Sequence, residues 1–261
     1  MNRRKLSAFI PVQNVEDIIK ECLDSIIWVD EVFIVDSFST DKTVEICKSY
    51  PNVKLVQHEY INSVKQRIWG MPQVMHEWVF IIDSDERCND TLRQEIEKIL
   101  SLDIIPYQGY NVNIRTKFKG KVLLHDTYMG SGGKRLVLRE MYKNYTTKQV
   151  HAKMKIDQLS WIDNKQAFLI HEPIKDISVH WMKMIRYSFW AAKDMKTGNK
   201  PVNLSLLIIR PWFKFFQYYI IRGGILDGIR GLIICMFAGL TVFMKYTKLW
   251  ELYQKNDKAD S

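Results

Sequence analysis

Four short apolar runs, each separated from the next by a helical pattern, fill the first hundred residues. That alternation limits the fold more than any other feature. Leu6 to Val12, Glu31 to Val35, Val53 to Gln57 and Trp78 to Ile82 are rich in β-branched and aromatic residues, as strands buried on both faces of a sheet are. Between them the pattern predicts an amphipathic helix from about Glu16 to Ile27, with Ile19, Cys22, Leu23, Ile26 and Ile27 on one face. Further helices are predicted from Lys42 to Tyr50, around Val64 to Met75, and from an Asp90-Thr91 cap to about Leu100. Strands and helices alternating in this way predict right-handed βαβ units and a mostly parallel sheet. Two of the strands end in acids. The second runs into Asp36, and the fourth into Asp83, Asp85 and Glu86. Ligands of open α/β sheets sit beyond the carboxyl ends of the strands, so two acidic ends on one edge outline a pocket. If strand geometry continues, Asp83 and Asp85 point to the same side. Such a pair repels unless a cation or hydrogen-bond donors offset it. Mg²⁺ or Mn²⁺ shared with a substrate diphosphate would do so. The ordinary alternative for a lone D-x-D is a solvated turn before a helix cap.

Composition narrows the class. Of the 261 residues, 47% are hydrophobic and 26% charged, the balance of a folded soluble protein. The net charge of +9 is unevenly placed: residues 1–100 carry 12 basic and 17 acidic side chains, and the remainder 26 and 12. An acidic first part and a basic second part predict two surfaces with different tasks, the second facing phosphates. Cys22, Cys47, Cys88 and Cys235 are scattered singly, which predicts a reducing compartment rather than a zinc site or disulfide framework. Met1 to Lys5 leads directly into the first strand, without an apolar region of signal-peptide length.

From residue 104 to 154 the chain reads as short strands and turns, including Gly109–Arg115, Lys121–Leu124 and Lys134–Leu138. Gly130-Ser131-Gly132-Gly133 is a flexible turn and lacks the spacing of a dinucleotide fingerprint. Beyond Pro173 a helix is predicted from Ser178 to Lys196, with Trp181, Met184, Ile185, Ser188 and Phe189 on one side. Apolar blocks follow at Leu204–Ile209, Trp212–Ile221 and Leu232–Met244, separated by Arg210-Pro211, Arg222-Gly223-Gly224 and Asp227–Gly231. The longest has 13 residues, short of the roughly 20 that span a bilayer. Trp and Tyr interleaved with Arg and Lys instead predict helices lying in the interface of an anionic membrane, with a buried helical subdomain as the alternative. Positive charge interleaved with long apolar blocks, without a nucleic-acid motif, argues against a nucleic-acid-binding module and predicts no nucleic-acid partner.

Together these residues carry a likeness. Leu6–Pro11 with Asn14 and Glu16, V-D-E-V-F-I-V-D-S-F-S-T-D (Val29–Asp41) and W-V-F-I-I-D-S-D-E-R (Trp78–Arg87) resemble family 2 glycosyltransferases of the GT-A fold. Within them the chain resembles the lipopolysaccharide-core β-1,4-glucosyltransferase subgroup. That likeness continues in R-L-V (Arg135–Val137), V-H (Val150–His151), L-I-H (Leu169–His171), R-Y-S (Arg186–Ser188), Gly223–Leu232 and Phe243–Glu251. It implies an α/β catalytic domain over residues 1–175, with the nucleotide-sugar half in 1–100 and the acceptor half in 101–175. Residues 176–261 would form a helical extension that associates with the membrane.

The resemblance also implies roles. Asp36 would hydrogen-bond the base of a nucleotide sugar, most often uracil, with Pro11 walling it and Asn14, Glu16 and Ser37 on the same nucleotide-facing turns. Lys65 and Arg67 would lie near the diphosphate. Asp83 would contact ribose or metal, and Asp85 would bind the Mg²⁺ or Mn²⁺ directly. The implied partners are a UDP-type sugar donor and a lipid-linked saccharide acceptor, met at the cytoplasmic face of the inner membrane; the oligomeric state is left open. Two positions depart from the subgroup's pattern: Ser131 and Ala152 stand where acids are expected. Inverting transfer needs a base for the acceptor hydroxyl, and Asp126 and His151 are the nearest replacements. The rival readings are a catalytically degenerate transferase serving as an assembly partner, and a nucleotidyltransferase.

Overall fold

The computed structural model describes residues 3–125, 132–145, 154–174 and 176–257. The chain packs as two units, residues 1–114 with 132–171, and residues 115–131 with 172–261. The sequence expectation places the boundary at residue 175, and the described residues 115–125 fall in the second unit.

In the first unit β3 (Val53–Gln57), β2 (Glu31–Asp36), β1 (Leu6–Val12) and β4 (Trp78–Ile81) lie side by side in that order, all parallel. Ile10 sits opposite Ile34, and Phe9 opposite Ile81. Past β4 the sheet changes direction. β8 (Gly132–Leu138) pairs antiparallel with β4, and β6 (Gly109–Phe118) antiparallel with β8. β10 (Phe168–His171) and the short β5 (Glu86–Cys88) follow, and β9 (Leu159–Trp161) pairs parallel with β6. The result is a mixed α/β sheet whose parallel part is the stretch read from the alternation. Among the described residues no helical crossover lies between β6 and β8, and parallel pairing of such neighbours needs a crossover connection.

Because side chains alternate across a strand, each parallel strand feeds two cores. Leu6, Ala8, Ile10, Val32, Ile34, Trp78 and Phe80 pack with α1 (Ile19–Ile26) and α4 (Asp90–Leu100) on one face. Phe9, Phe33, Val35, Val79 and Ile81 pack with Met71, Val74 and Met141 on the other. On this second face α3 (Ser63–Gly70) ends at Gly70, where a Cβ would lie 2.5 Å from the Phe9 ring. Only glycine lets the helix approach so closely, and that approach fixes where Gln66 and Arg67 stand. Asn62 caps α3 through the Lys65 N–H at 2.9 Å. Asn89, one residue before the predicted Asp90-Thr91 cap, caps α4 through the Leu92 N–H at 2.9 Å. Its extended backbone suits the N-cap position, whereas Asp90 is already helical.

Among its described residues the second unit holds three long helices. α5 (Ile177–Thr197) buries the stripe His180, Met184, Ser188 and Ala192; Trp181, Ile185 and Phe189, expected on the same side, lie at its exposed margin. α6 (Leu204–Phe216) continues past Pro211 without interruption, contrary to the expected break, and ends in a π-helical turn over Gln217–Ile221. α7 (Gly228–Asp257) packs tightly there, since a Cβ on Gly239 would lie 3.0 Å from the Pro211 carbonyl oxygen. α7 is one continuous helix of 30 residues. The expectation that every apolar block is too short to span is therefore corrected: Asp227–Gly231 opens the helix rather than interrupting the apolar run. By length and composition the helical stretch Gly224–Gln254 is long and apolar enough to cross a membrane.

Candidate active site

β4 stops at Ile81, and a turn follows in which Glu86 N–H donates to the Asp83 carbonyl at 2.9 Å. Strand geometry therefore does not persist to Asp85, and the two aspartates part instead of sharing a side. Asp83 faces two guanidinium groups: Arg67 Nη2 lies 3.3 Å from Oδ1, and both Arg135 Nη atoms lie 3.3 Å from Oδ2. Arg135 also binds the buried Glu86. The second Glu86 oxygen accepts the Asp83 N–H at 3.0 Å. Burial works to raise the Asp83 carboxyl, but Arg135 and Arg67 outweigh it and hold the group below the usual carboxylate range. For Glu86 the balance reverses. Burial dominates, Arg135 opposes it only in part, Asp83 adds repulsion, and the pKa is pushed up to about 7.

Asp85 turns to the neighbouring edge, where Oδ2 lies 3.1 Å from His171 Nε2 at the end of β10. The pairing Glu86–His171 between β5 and β10 brings them together. Burial would lower the His171 imidazole, yet Asp85 first, then Glu86 and Asp83, outweigh it and raise the pKa above its ordinary value. Asp85 and His171 thus form a carboxylate–imidazole pair. Among the described residues no group of three His, Cys, Asp or Glu side chains is arranged to hold a metal ion. A divalent ion fits this pair only with further oxygens from substrate or water, the usual situation for Mg²⁺ at phosphate sites.

At the other end of the parallel edge, the loops after β1 and β2 are fastened together. Asn14 Oδ1 accepts the Thr40 N–H at 2.8 Å, and Glu16 Oε2 accepts the Lys42 N–H at 2.8 Å. In return Asn14 N–H donates to Ser39 Oγ at 2.9 Å, and Glu16 N–H to Asp41 Oδ2 at 3.1 Å. Asp36 is fully buried. Its carboxylate accepts from the Ser39 N–H and hydroxyl and from Gln57 Nε2 at 2.9 Å. Ser37, also buried, accepts from Gln66 Nε2 at 2.9 Å, and Gln66 in turn contacts His58. Asn14 and Phe38 both carry positive φ, 49° and 56°, a conformation that Asn visits readily but that costs a bulky residue such as Phe about 1–2 kcal/mol.

Of the residues singled out in the sequence, Arg67, Asp83 and Asp85 converge at the β4 end, while Pro11, Asn14, Glu16, Asp36 and Ser37 gather at the β1–β2 end. Lys65 is exposed on α3. Asp126 and His151, like Ser131 and Ala152, lie outside the described residues. His125, the neighbour of Asp126, has Nδ1 3.7 Å from Asp227 within the helical unit. Arg135, Glu86 and His171 belong to the site without having been assigned a role in it. Each stood inside a quoted motif, but only strand pairing shows which acid it meets.

With this geometry in view, comparison with known proteins is informative. Residues 7–157 match the family described as "Glycosyl transferase family 2". An uncharacterized glycosyltransferase of Rickettsia bellii is 28% identical over 258 residues, covering 95% of this chain and 87% of the relative. The lipopolysaccharide core biosynthesis glycosyltransferase LpsC of Rhizobium meliloti is 24% identical over 94% of this chain and 92% of its own length. Among solved structures, the mannosyltransferase PcManGT of Pyrobaculum calidifontis, in complex with GDP-Man and Mn²⁺, superposes with a TM-score of 0.58 at 15% identity. That match covers 95% of this chain and 88% of the other. S. aureus TarS 1-349 with UDP-GlcNAc gives a TM-score of 0.51 at 16% identity, over 96% and 92% of the two chains. These two share the GT-A-like fold. The match over residues 7–157, more than half the chain, shows that this protein belongs to glycosyl transferase family 2 and is a glycosyltransferase.

Proposed function

We propose that this glycosyltransferase moves a sugar, with inversion, from a nucleotide-activated donor to a lipid-linked saccharide, assisted by Mg²⁺ or Mn²⁺. The observation that carries the reading is the Asp85–His171 pair, 3.1 Å apart beside the arginine-bound Asp83 at the carboxyl end of β4. Asp85 and His171 would hold the ion, which when bound would neutralise charge developing on the diphosphate leaving group. Asp83, already matched by Arg67 and Arg135, narrows to a ribose contact and a brace for the turn. The acceptor oxygen attacks the anomeric carbon, the bond to the diphosphate oxygen breaks, and a base takes the hydroxyl proton. Asp126 and His151 remain the proposed bases. The GDP-Man and Mn²⁺ in the mannosyltransferase structure and the name of LpsC support donor, ion and acceptor class. A thermal-shift series with UDP-, GDP- and CMP-sugars, with and without Mn²⁺, tests this. A cognate donor should raise the melting temperature, by about 2.7 kcal/mol of stabilisation at a hundredfold over Kd, and more so with the ion. No response to any nucleotide would overturn the reading.

Asp36 is proposed to serve the base end of the donor. Its carboxylate is engaged by Ser39 and Gln57, so a direct base contact requires one of these to yield. Asp36→Ala should weaken UDP and the sugar donor together, by about 1.5–3 kcal/mol for lost hydrogen bonds to a charged group. Calorimetry showing unchanged UDP affinity would place the base elsewhere.

The helical unit supports docking at the inner face of the membrane. Ile209, Trp212, Phe213, Phe216, Ile220 and Ile221 are exposed on and after α6. Beside them Arg210 and Lys245 lie over the Tyr246 ring, and Lys214 and Arg222 over Tyr218. Apolar surface flanked by such cations suits an anionic leaflet, each cation contributing about 1 kcal/mol. Replacing Arg210, Lys214, Arg222, Arg230, Lys245 and Lys248 by Gln should release the protein from anionic liposomes while leaving UDP binding intact. Salt should weaken wild-type binding. A wild-type chain that stays soluble and monomeric beside anionic liposomes at low salt would end the idea.

A further inference from the structure

The loop after β2 carries a residue that packing does not explain. Phe38 follows Asp36 and Ser37 at the carboxyl end of the strand, with φ at 56° and 57% of its surface exposed. A bulky side chain with positive φ is a backbone outlier, and such outliers persist only where the surroundings impose them. Here the surroundings do. Gln13 Nε2 donates to the Ser37 carbonyl at 3.0 Å on one side, and on the other Ser39 is tied to Asp36 and Asn14. Among the described residues the Phe38 ring has no aromatic or cationic partner. The fold therefore holds an exposed aromatic ring at the rim of the site at a cost in backbone strain.

We propose that Phe38 is the stacking surface for the nucleobase of the donor; the proposal rests on the sugar-transfer reading above. β2 is two strands from β4, so the two strand ends lie roughly 10 Å apart at the usual strand spacing. A nucleoside diphosphate bridges such a gap with its diphosphate at β4, its ribose over β1 and its base at β2. Asp36, buried and engaged, supplies a fixed edge there but no face, and a planar base needs a face. An aromatic ring supplies it regardless of which base is present, so Phe38 sets affinity for the nucleotide while hydrogen-bonding groups set its identity.

Calorimetric titration of UDP with Mn²⁺ into the full chain tests this with three variants. Phe38→Gly and Phe38→Asn remove the ring but tolerate the positive φ; Phe38→Tyr keeps the ring. Both ringless variants should lose about five- to a hundredfold in UDP affinity, the range for one base stacked on one aromatic side chain. Phe38→Tyr should retain wild-type affinity, and Phe38→Gly should melt above wild type because the strain is gone. Wild-type UDP affinity in either ringless variant overturns the proposal, as does an equal loss in Phe38→Tyr. If the wild-type chain binds none of UDP, GDP or CMP, the sugar-transfer reading falls and this inference with it. Nucleotide binding that is indifferent to the ring removes the inference alone.

Discussion

Asp85→Asn should abolish ion-dependent sugar transfer, by a hundredfold or more, while leaving the chain folded. Asn keeps the size of the side chain but not the charge that would bind the ion, and losing one preorganised electrostatic stabiliser costs on the order of 10²–10³ in turnover. The fold should tolerate the change because the Asp85 side chain is 38% exposed and its ion-pair partner among the described residues is His171. The expected pattern is normal melting without ion, loss of the Mn²⁺-dependent shift in melting, and loss of turnover. His171→Ala should reproduce the loss of ion response. A folded Asp85→Asn variant with wild-type Mn²⁺-dependent turnover would remove Asp85 from the site.

Arg135→Met should be the most destabilising single change at the site. Arg135 is 10% exposed at its side chain and Glu86 2%, and breaking a buried pair by deleting one partner costs about 3–5 kcal/mol. The lower end is expected, since Glu86, held at about 7, can take a proton and neutralise. Even about 3 kcal/mol is a large share of the stability of an ordinary domain. Urea unfolding should show the loss, and Arg135→Met combined with Glu86→Gln should recover much of it by removing the orphaned charge. If the double variant is no more stable than the single, lost packing rather than an unpaired carboxylate is the cause.

The strands and helices of the first hundred residues are legible because each is written locally. Period two along Leu6–Val12 and Glu31–Asp36 puts alternate residues on opposite faces, and the two cores divide them in that way. The α7 helix was hidden for the opposite reason. Asp227 and the glycines near it read as a break, yet Asp227 accepts the Leu124 and His125 N–H groups at 3.0 Å and so anchors the turn that opens the helix. A partner 102 residues away leaves no mark in a local window.

The site divides along the same line. That acids stand at the carboxyl ends of β2 and β4 follows from strand ends, which hydrophobic patterning marks without any knowledge of contacts. Which acid takes which partner does not follow. Asp83 and Asp85 are two residues apart and look equivalent in the sequence. One is given to Arg67 on α3 and Arg135 on β8, the other to His171 on β10. Chain order carries no information about that choice, because it depends on β8 pairing antiparallel with β4 and on β10 pairing with β5. Patterning thus specifies where charge gathers. Long-range strand pairing decides which charges are neutralised by arginine and which are left facing a histidine at the edge of the sheet.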